Sequence, residues 1–508
     1  MPETIPGLLA AAADRDPDGI WLRTDEEQLS FAAAAARVGG AADRLRAAGV
    51  GSGDRVLVTA RNTAPYLLCL LAITSAGAIA VPVNPASAPG ELAGLAGQVR
   101  PRLLVSDPTL AGLVEAAGIP GVPGSSVDAI AGSASGDAPS GSALLRVMAR
   151  PDDLAVLMPT SGTTGRSKLV MQTHRAYALA GEGFPYWMGL GRDDRLMTSL
   201  PLFHLNAIAY SVLGSLSCGA GLVLLPRFSA SGFLDSARRH GATEFNAIGA
   251  MLEILMRRPE RPDDAATDLR LCYTGPAPAR EWQEAFERRF GLRVVVGYAM
   301  SESPYGLIWP RGSRPYGTLG TVRQHPTLGR INEARVVGDD GGEVDPGGTG
   351  ELLLRNPVLT PGYWEMPEET AAAIEDGWLH TGDLVTPNAD GTYTFVARKK
   401  EVLRRRGENV SPAEVEEAIQ AHPDVLECAV VGVPSELSEE EIKAFVVPEP
   451  GRAPDFPALR EWTAHRLSAF KVPRFWQQLD ALPRTPTSRI ARHRLPTGHP
   501  EGEYDAES

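Results

Sequence analysis

The sequence predicts an α/β protein: a large N-terminal domain made of two parallel-sheet α/β subdomains plus a β-rich subdomain, then a small α+β C-terminal domain. Three observations predict it. Helical patterns alternate with short apolar runs through about residue 310, the signature of parallel sheets. Two uncharged stretches, PYLLCLLAITSAGAIAVPV (65–83) and IAYSVLGSLSCGAGLVLLP (208–226), lie far apart and each reads as buried helix, Gly turn and buried strand, one for each α/β layer. From residue 317 to 395 strands dominate, and beyond VARKKEVLRRRGENVS a fresh α+β pattern begins.

Taken in order, the helices are FAAAAARVGGAADRLRAAG, FLDSARRHG and REWQEAFERRFG, and the strands between them are RVLVTA, RLLVSD, LAVLMPT, LRLCYTG and RVVVGYA. The stretch DAIAGSASGDAPSGSALL reads as a flexible surface loop, because Ala, Gly and Ser offer nothing to bury. GDDGGEVDPGGTGELLL and NADGTYTF carry the turn residues of antiparallel hairpins. The C-terminal pattern is helix PAEVEEAIQAHP, strands LECAVVGVP and IKAFVVPE, and helix FPALREWTAHRLSAF, enough for a compact second domain.

Composition excludes several classes of function. A chain of 508 residues with a formal charge of −13 is a poor partner for the phosphate backbone of nucleic acid. Cys69, Cys218, Cys272 and Cys428 are widely spaced with no CxxC pair, which argues against a disulfide framework or a zinc site and fits a reducing cytoplasm. The N-terminus lacks the charged and apolar regions of a signal peptide, and Ser, Gly and Pro interrupt both uncharged stretches, so no membrane span is expected.

The strongest local signal is PTSGTTGRSK (159–168) after the strand LAVLM. Gly162 and Gly165 supply conformational freedom, Thr160, Ser161, Thr163 and Thr164 supply hydroxyl and amide donors, and Lys168 supplies a point charge, as a phosphate-wrapping loop requires. The spacing is not that of a Walker A loop. Taken alone, a polar surface turn fits equally well. LPRTPTSRIARHRLP (482–496) is similarly open: a solvated basic tail, or a loop that reaches an active site.

These segments, with GYAMSES (297–303), GELLLRNP, DGWLHTGDL (376–384) and ARKKEVLRRRGENVSPAEVE, occur in the order and spacing of the adenylate-forming superfamily. The chain resembles its acyl-CoA ligases over essentially the whole length, and is most similar to the acyl-, aryl- and carnitine-type CoA ligases. The resemblance implies a carboxylate attacking ATP to give acyl-AMP and pyrophosphate, followed by displacement of AMP by a thiol, usually that of CoA, with Mg²⁺ assisting. It also implies a large domain over residues 1–397 and a mobile small domain over 398–508 that swings about a hinge near Lys400, one pose for each step.

The same resemblance assigns roles. Ser301 keeps a hydroxyl for the α-phosphate, and Glu302 holds the metal ion. Asp383 accepts both ribose hydroxyls beside Arg398, while the adenine rests between the backbone of Gly275, Pro276 and Ala277 and the ring of Tyr298, with Gly297, Ala299 and Met300 completing the nucleotide wall. His204 borders and gates the acid pocket, lined by Asn246, Gly249 and Met251 in FNAIGAML; Gly, Ala and Met suit a bulky apolar acid without proving one. Arg404 and Gly407 belong to the basic hinge segment, whose RGENVSP portion serves the second pose.

The departures from the family pattern carry more information. Leu169 replaces a Gly after the phosphate loop, Arg404 stands where Lys is common, and Ser488 and Arg489 replace the Gly-Lys pair in which the Lys bridges carboxylate and α-phosphate during adenylation. Guanidinium is planar and forked and does not reproduce a compact ammonium. The expectation is that adenylation is weak or lost while thioester formation from a preformed acyl-AMP survives, the adenylate then coming from a separate adenylating enzyme. The alternatives are a conventional two-step ligase that tolerates Arg489, an adenylating enzyme that loads a carrier protein, and a non-catalytic nucleotide-binding module.

Overall fold

A computed structural model describes residues 2–132, 148–160, 167–275, 277–338, 340–399, 403–410, 412–435, 440–483, 490, 492–500 and 502–507. A six-stranded sheet has the order Gly124–Ser126, Leu103–Ser106, Arg55–Thr59, Ile79–Val83, Leu154–Thr160, Lys168–Thr173, parallel up to the final hairpin. The nine-stranded sheet runs Thr321–Val322, Ser303–Ile308, Arg293–Met300, Leu271–Thr274, Glu244–Asn246, Arg195–Thr198, Gly221–Leu224, Ile20–Arg23, Gln28–Ser30, with its central strands parallel. A third, antiparallel sheet holds Glu333–Val337, Gly350–Arg355, Trp378–Pro387, Ile374–Glu375 and Tyr393–Arg398, as the hairpin turns predict.

The helix Ala64–Ser75 explains one uncharged stretch. It is apolar on every side and buried throughout, capped by the Thr63 hydroxyl on the Tyr66 amide. The other stretch departs from expectation: its helix begins as a π-helical segment, Asn206–Val212, and continues as Leu213–Cys218. Such widened turns re-aim side chains and are frequent at functional sites. A second correction concerns the expected surface loop, whose beginning lies in the helix Val127–Ala131, with Ile130 and Ala131 buried. Residues 133–147 lie outside the described residues.

The small domain packs Pro412–Gln420 and Phe456–Ala464 against a four-stranded sheet of Val425–Pro434, Glu440–Pro448, Phe475–Gln478 and Tyr504–Asp505. The last strand is held by charge. Arg474 forms two 2.9 Å bonds with Asp505, and the buried Lys443 ammonium meets Glu503. Glu507 lies 2.7 Å from Arg406, in the turn between Leu403–Arg405 and Glu408–Val410. Leu482 and Leu495 are buried on the other side of the sheet, and Arg492 grips Glu416 through both carboxylate oxygens, so the flanks of the basic segment are fastened down. Residues 484–489 are outside the described set.

Trp476 is fully buried in the small-domain core and donates its indole hydrogen to the Pro473 carbonyl. Trp476→Ala is expected to destabilise the small domain by about 3–5 kcal/mol, visible as a lowered urea midpoint for that domain in a two-transition unfolding curve.

Candidate active site

Asn246 and Thr274 end neighbouring parallel strands, and the parallel pairing with Arg293–Met300 ends at Val296, so Asn246, Thr274 and the residues from Gly297 onward emerge at one carboxyl edge. The backbones there come very close. A Cβ at residue 275 would lie 2.6 Å from the Gly297 carbonyl oxygen, so this close approach of the two backbones needs glycine at that point. Tyr298 donates from its hydroxyl to Asp383 Oδ2 at 2.6 Å, joining the proposed adenine and ribose contacts. Asp383 is buried in Trp378–Pro387 and sits opposite Arg398 in the strand pairing.

Glu351, in the GELLLRNP segment, anchors this strand pair. It accepts from the Gly382 amide at 3.0 Å and the Lys399 ammonium at 2.9 Å, while the Lys399 amide donates to the Gly382 carbonyl. Burial pushes the Glu351 carboxyl up, but Lys399 and the Gly382 amide outweigh it and hold it below the usual range. The segment leading into the small domain is thereby tied to the loop that carries Asp383.

On the phosphate side, Lys168 projects its ammonium over the Tyr363 ring at 4.4 Å, and the Tyr363 hydroxyl donates to Glu302 Oε1 at 3.0 Å. Tyr363 therefore spaces the cation from the carboxylate. Burial and the adjoining Glu302 push its phenol up, so it remains a donor. Sequence reading missed Tyr363; its only signal is an aromatic pair after a Thr-Pro-Gly turn, a common loop pattern. Ser301 accepts through its carbonyl from the Gln172 amide at 2.6 Å, and the Thr160 hydroxyl donates to the Lys168 carbonyl. Ala277 and Ala299 are half-buried against the large-domain core, and the Tyr298 hydroxyl lies 3.8 Å from the Met300 sulfur. Ser161, Gly162, Thr163, Thr164, Gly165, Pro276, Lys400, Ser488 and Arg489 lie outside the described residues.

In the acid region, Asn246 is buried and bonds through its amide to Asn206 and Ser211 of the π-helical segment. Gly249 starts the helix Gly249–Met256, and Met251 packs into the large-domain core. The small domain meets this region through the turn of its hairpin. Gly407, at φ +82°, packs so closely that a Cβ there would lie 2.3 Å from Ile248 Cδ1. Next to it, Glu408 Oε1 lies 2.8 Å from His204 Nε2. Burial alone would lower the imidazole's value, but Glu408 raises it above the ordinary 6.5. Burial likewise opposes the Glu408 carboxylate, and His204 nevertheless brings it below 4.5. Arg404 adds positive charge beside both, its backbone amide fixed by Glu440 at 3.0 Å. A second bridge joins the domains, with Lys471 between Glu91 at 3.0 Å and Glu414 at 2.7 Å. Motif reading identified His204 and left Glu408 without a role.

With this geometry established, comparison with known proteins is informative. Residues 9–364 match the AMP-binding enzyme family model, and residues 414–489 match the AMP-binding enzyme C-terminal domain. The chain is 32% identical to sulfoacetate–CoA ligase of Cupriavidus necator over 97% of both chains. It is 33% identical to feruloyl-CoA synthase of an Amycolatopsis species over 94% of this chain and 96% of that one. It is also similar to a double mutant of Bacillus subtilis o-succinylbenzoate CoA synthetase bound with its product analogue, with a TM-score of 0.84 at 26% identity, covering 96% of this chain and 98% of that one. The protein belongs to the AMP-binding, adenylate-forming enzyme family. It is an acid–thiol ligase of the AMP-forming acyl-CoA synthetase type, and CoA ligases of this family act through an acyl-adenylate and use ATP and CoA. Among the described residues, no helix is long and apolar enough to cross a membrane.

The His204–Glu408 contact should be at full strength between pH 4.5 and pH 6.5, the two groups' ordinary values. It is lost as pH rises through the raised imidazole value, and on the acid side as pH falls through the lowered carboxyl value. Energy transfer between dyes on the two domains should report less docking above the raised imidazole value, and His204→Phe should flatten that alkaline limb. An unchanged docked fraction would refute it.

Proposed function

We propose that this ligase serves mainly the second half of the two-step reaction, converting a preformed acyl-AMP and CoA into acyl-CoA and AMP. The observation that carries the reading is the pair Ser488 and Arg489 in place of Gly-Lys, on the segment that the family uses for adenylation. The docked hairpin supports it: Gly407 against Ile248 and Glu408 against His204 belong to the RGENVSP segment assigned to thioester formation. Likeness over nearly the whole length to a structure bound with a CoA-product analogue adds support. Under this reading the adenylate comes from a separate adenylating enzyme.

Residues 1–397 form the nucleotide- and acid-binding domain, and residues 398–508 pivot at Lys400. Asp383 and Arg398 take the ribose, and Tyr298 faces the adenine opposite Gly275, Pro276 and Ala277. Gly297, Ala299 and Met300 complete that wall. The 160–165 loop and Lys168 take the phosphates, Ser301 reaches the α-phosphate, and Arg404 and Gly407 line the second-pose approach. His204 gates the acid pocket of Asn246, Gly249 and Met251. Among the described residues no cluster of three or more His, Cys, Asp or Glu side chains could hold a metal ion. Glu302, a buried carboxylate beside the Lys168–Tyr363 pair, fits Mg²⁺, which commonly takes one or two carboxylates and completes its shell with water and substrate phosphates. The ion would neutralise phosphate charge.

The test offers the enzyme free acid with ATP and, in parallel, synthetic acyl-AMP with CoA. Thioester should form from acyl-AMP and barely from free acid. Arg489→Lys combined with Ser488→Gly should raise the free-acid rate by about 10² to 10³, the range lost with one preorganised donor. Comparable wild-type turnover in both arms would instead establish a conventional two-step ligase.

A further inference from the structure

Beneath the carboxyl ends of the central strands lies a fully buried guanidinium that motif reading does not mention. Arg323 follows the strand Thr321–Val322 and is completely shielded from solvent. Its Nη1 donates to the Tyr210 hydroxyl at 2.6 Å, its Nη2 to the Tyr273 hydroxyl and its Nε to the Leu307 carbonyl at 3.0 Å. The rings of Trp187, Tyr210 and Tyr273 stand 4.8, 5.1 and 5.4 Å away. Every one of these groups is neutral. Among the described residues no carboxylate pairs with Arg323, and Glu182 is engaged instead by the His325 ring at 3.3 Å. A buried cation is normally matched by an anion, because neutral dipoles and ring faces only partly replace its hydration.

The position of Arg323 connects it to the acid pocket. Tyr210 belongs to the π-helical segment just after His204, and Tyr273 lies beside Asn246 in the strand register. A Cβ on Gly297 would meet Arg323 Nη2 at 2.6 Å. The guanidinium therefore lies against Gly297 and directly beneath Tyr210 and Tyr273, the residues that adjoin Ser211 in the π-helical segment and Asn246 in the sheet. Phe184 stacks on Tyr210 at 5.0 Å and meets Tyr273 edge-on, so close-packed, buried rings lie behind the Asn246 amide and leave no room for a long acyl chain on that side.

Beside Tyr210 and Tyr273 sits an amide cluster that is incompletely satisfied. Asn246 is 1% exposed, and its amide nitrogen donates to the Asn206 carbonyl oxygen and to Ser211 Oγ, leaving Oδ1 without a partner among the described residues. Turning both amides over keeps the same contacts with roles exchanged, Asn206 and Ser211 donating to Asn246, and aims the Asn246 NH₂ into the unpartnered direction. Beside an uncompensated cation, a bound oxyanion selects that arrangement.

We propose that the acid this ligase accepts is short and carries a second oxyanion, a carboxylate or a sulfonate, held by Asn246 and Asn206 above Arg323. The inference rests on the ligase reading, since it assumes that an acyl-adenylate occupies the site, and it replaces the bulky apolar acid that the sequence suggested.

Calorimetry with non-hydrolysable acyl-sulfamoyl adenosines bypasses the adenylation step. The succinyl and 3-sulfopropanoyl compounds, which also separate carboxylate from sulfonate, should bind about tenfold or more tightly than the pentanoyl compound, with the benzoyl compound weaker than both anionic ones. Arg323→Met and, should that variant fail to fold, Asn246→Leu should bring the succinyl-to-pentanoyl affinity ratio to about one. Equal or tighter binding of the pentanoyl or benzoyl compound, with AMP still bound, would overturn the inference and leave the ligase reading standing. An unchanged ratio in the variants would overturn the assignment of these residues. Failure of AMP and all four compounds to bind would overturn both.

Discussion

The site depends on one constraint, the parallel registration of Glu244–Asn246, Leu271–Thr274 and Arg293–Met300. Because these strands are parallel, their carboxyl ends share an edge, and residues far apart in the chain become neighbours there. The Gly275 backbone closes to within contact of the Gly297 carbonyl, a spacing that any side chain would break. Asp383 reaches the same edge from the antiparallel sheet and is held through Tyr298, so two different sheets meet in one hydrogen bond. The shape of this edge, the proposed nucleotide wall, is thus set by backbone geometry and one phenol.

The small domain is joined to this edge by charged contacts that are neither deeply buried nor fully exposed. His204 with Glu408, and Lys471 between Glu91 and Glu414, keep enough solvent access to open. An apolar contact is added where Gly407 meets Ile248. An interface of this kind suits a domain that has to leave and return, because breaking it exposes little apolar surface. The small-domain core is separate, organised around Trp476, Val430 and Phe445 in its own sheet.

Much of this was legible in the chain before any coordinates. The helix–Gly–strand unit at 65–83 was visible because its helix is apolar all round and its turn is glycine, and the hairpins of the third sheet were visible because their turns are dense in Gly and Asp. Motif order pointed to Gly275, Gly297, Tyr298 and Asp383, which the fold brings together at one edge. What was illegible arises from contacts across long separations or from local geometry without a composition signal. Glu408 stands 204 residues from His204. Nothing in TVRQHP marks Arg323 as buried, since arginine is ordinarily a surface residue. Tyr363 gains its role only because Lys168 and Glu302 arrive on either side of it, and the π-helical turn after His204 has no distinctive residue pattern.

The strand Tyr504–Asp505 closes the edge of the small-domain sheet, and the residues after it reach round to the hairpin. Arg406 occupies the left-handed region at φ +52°, unusual for a long side chain, and Glu507 holds its guanidinium from behind. The tail is therefore a backstop, stiffening a turn whose front face carries Gly407 and Glu408. For the proposed swing of the small domain, rigidity in the part that arrives at the site would let a large movement end in a reproducible position, with precision supplied from the far side of the domain.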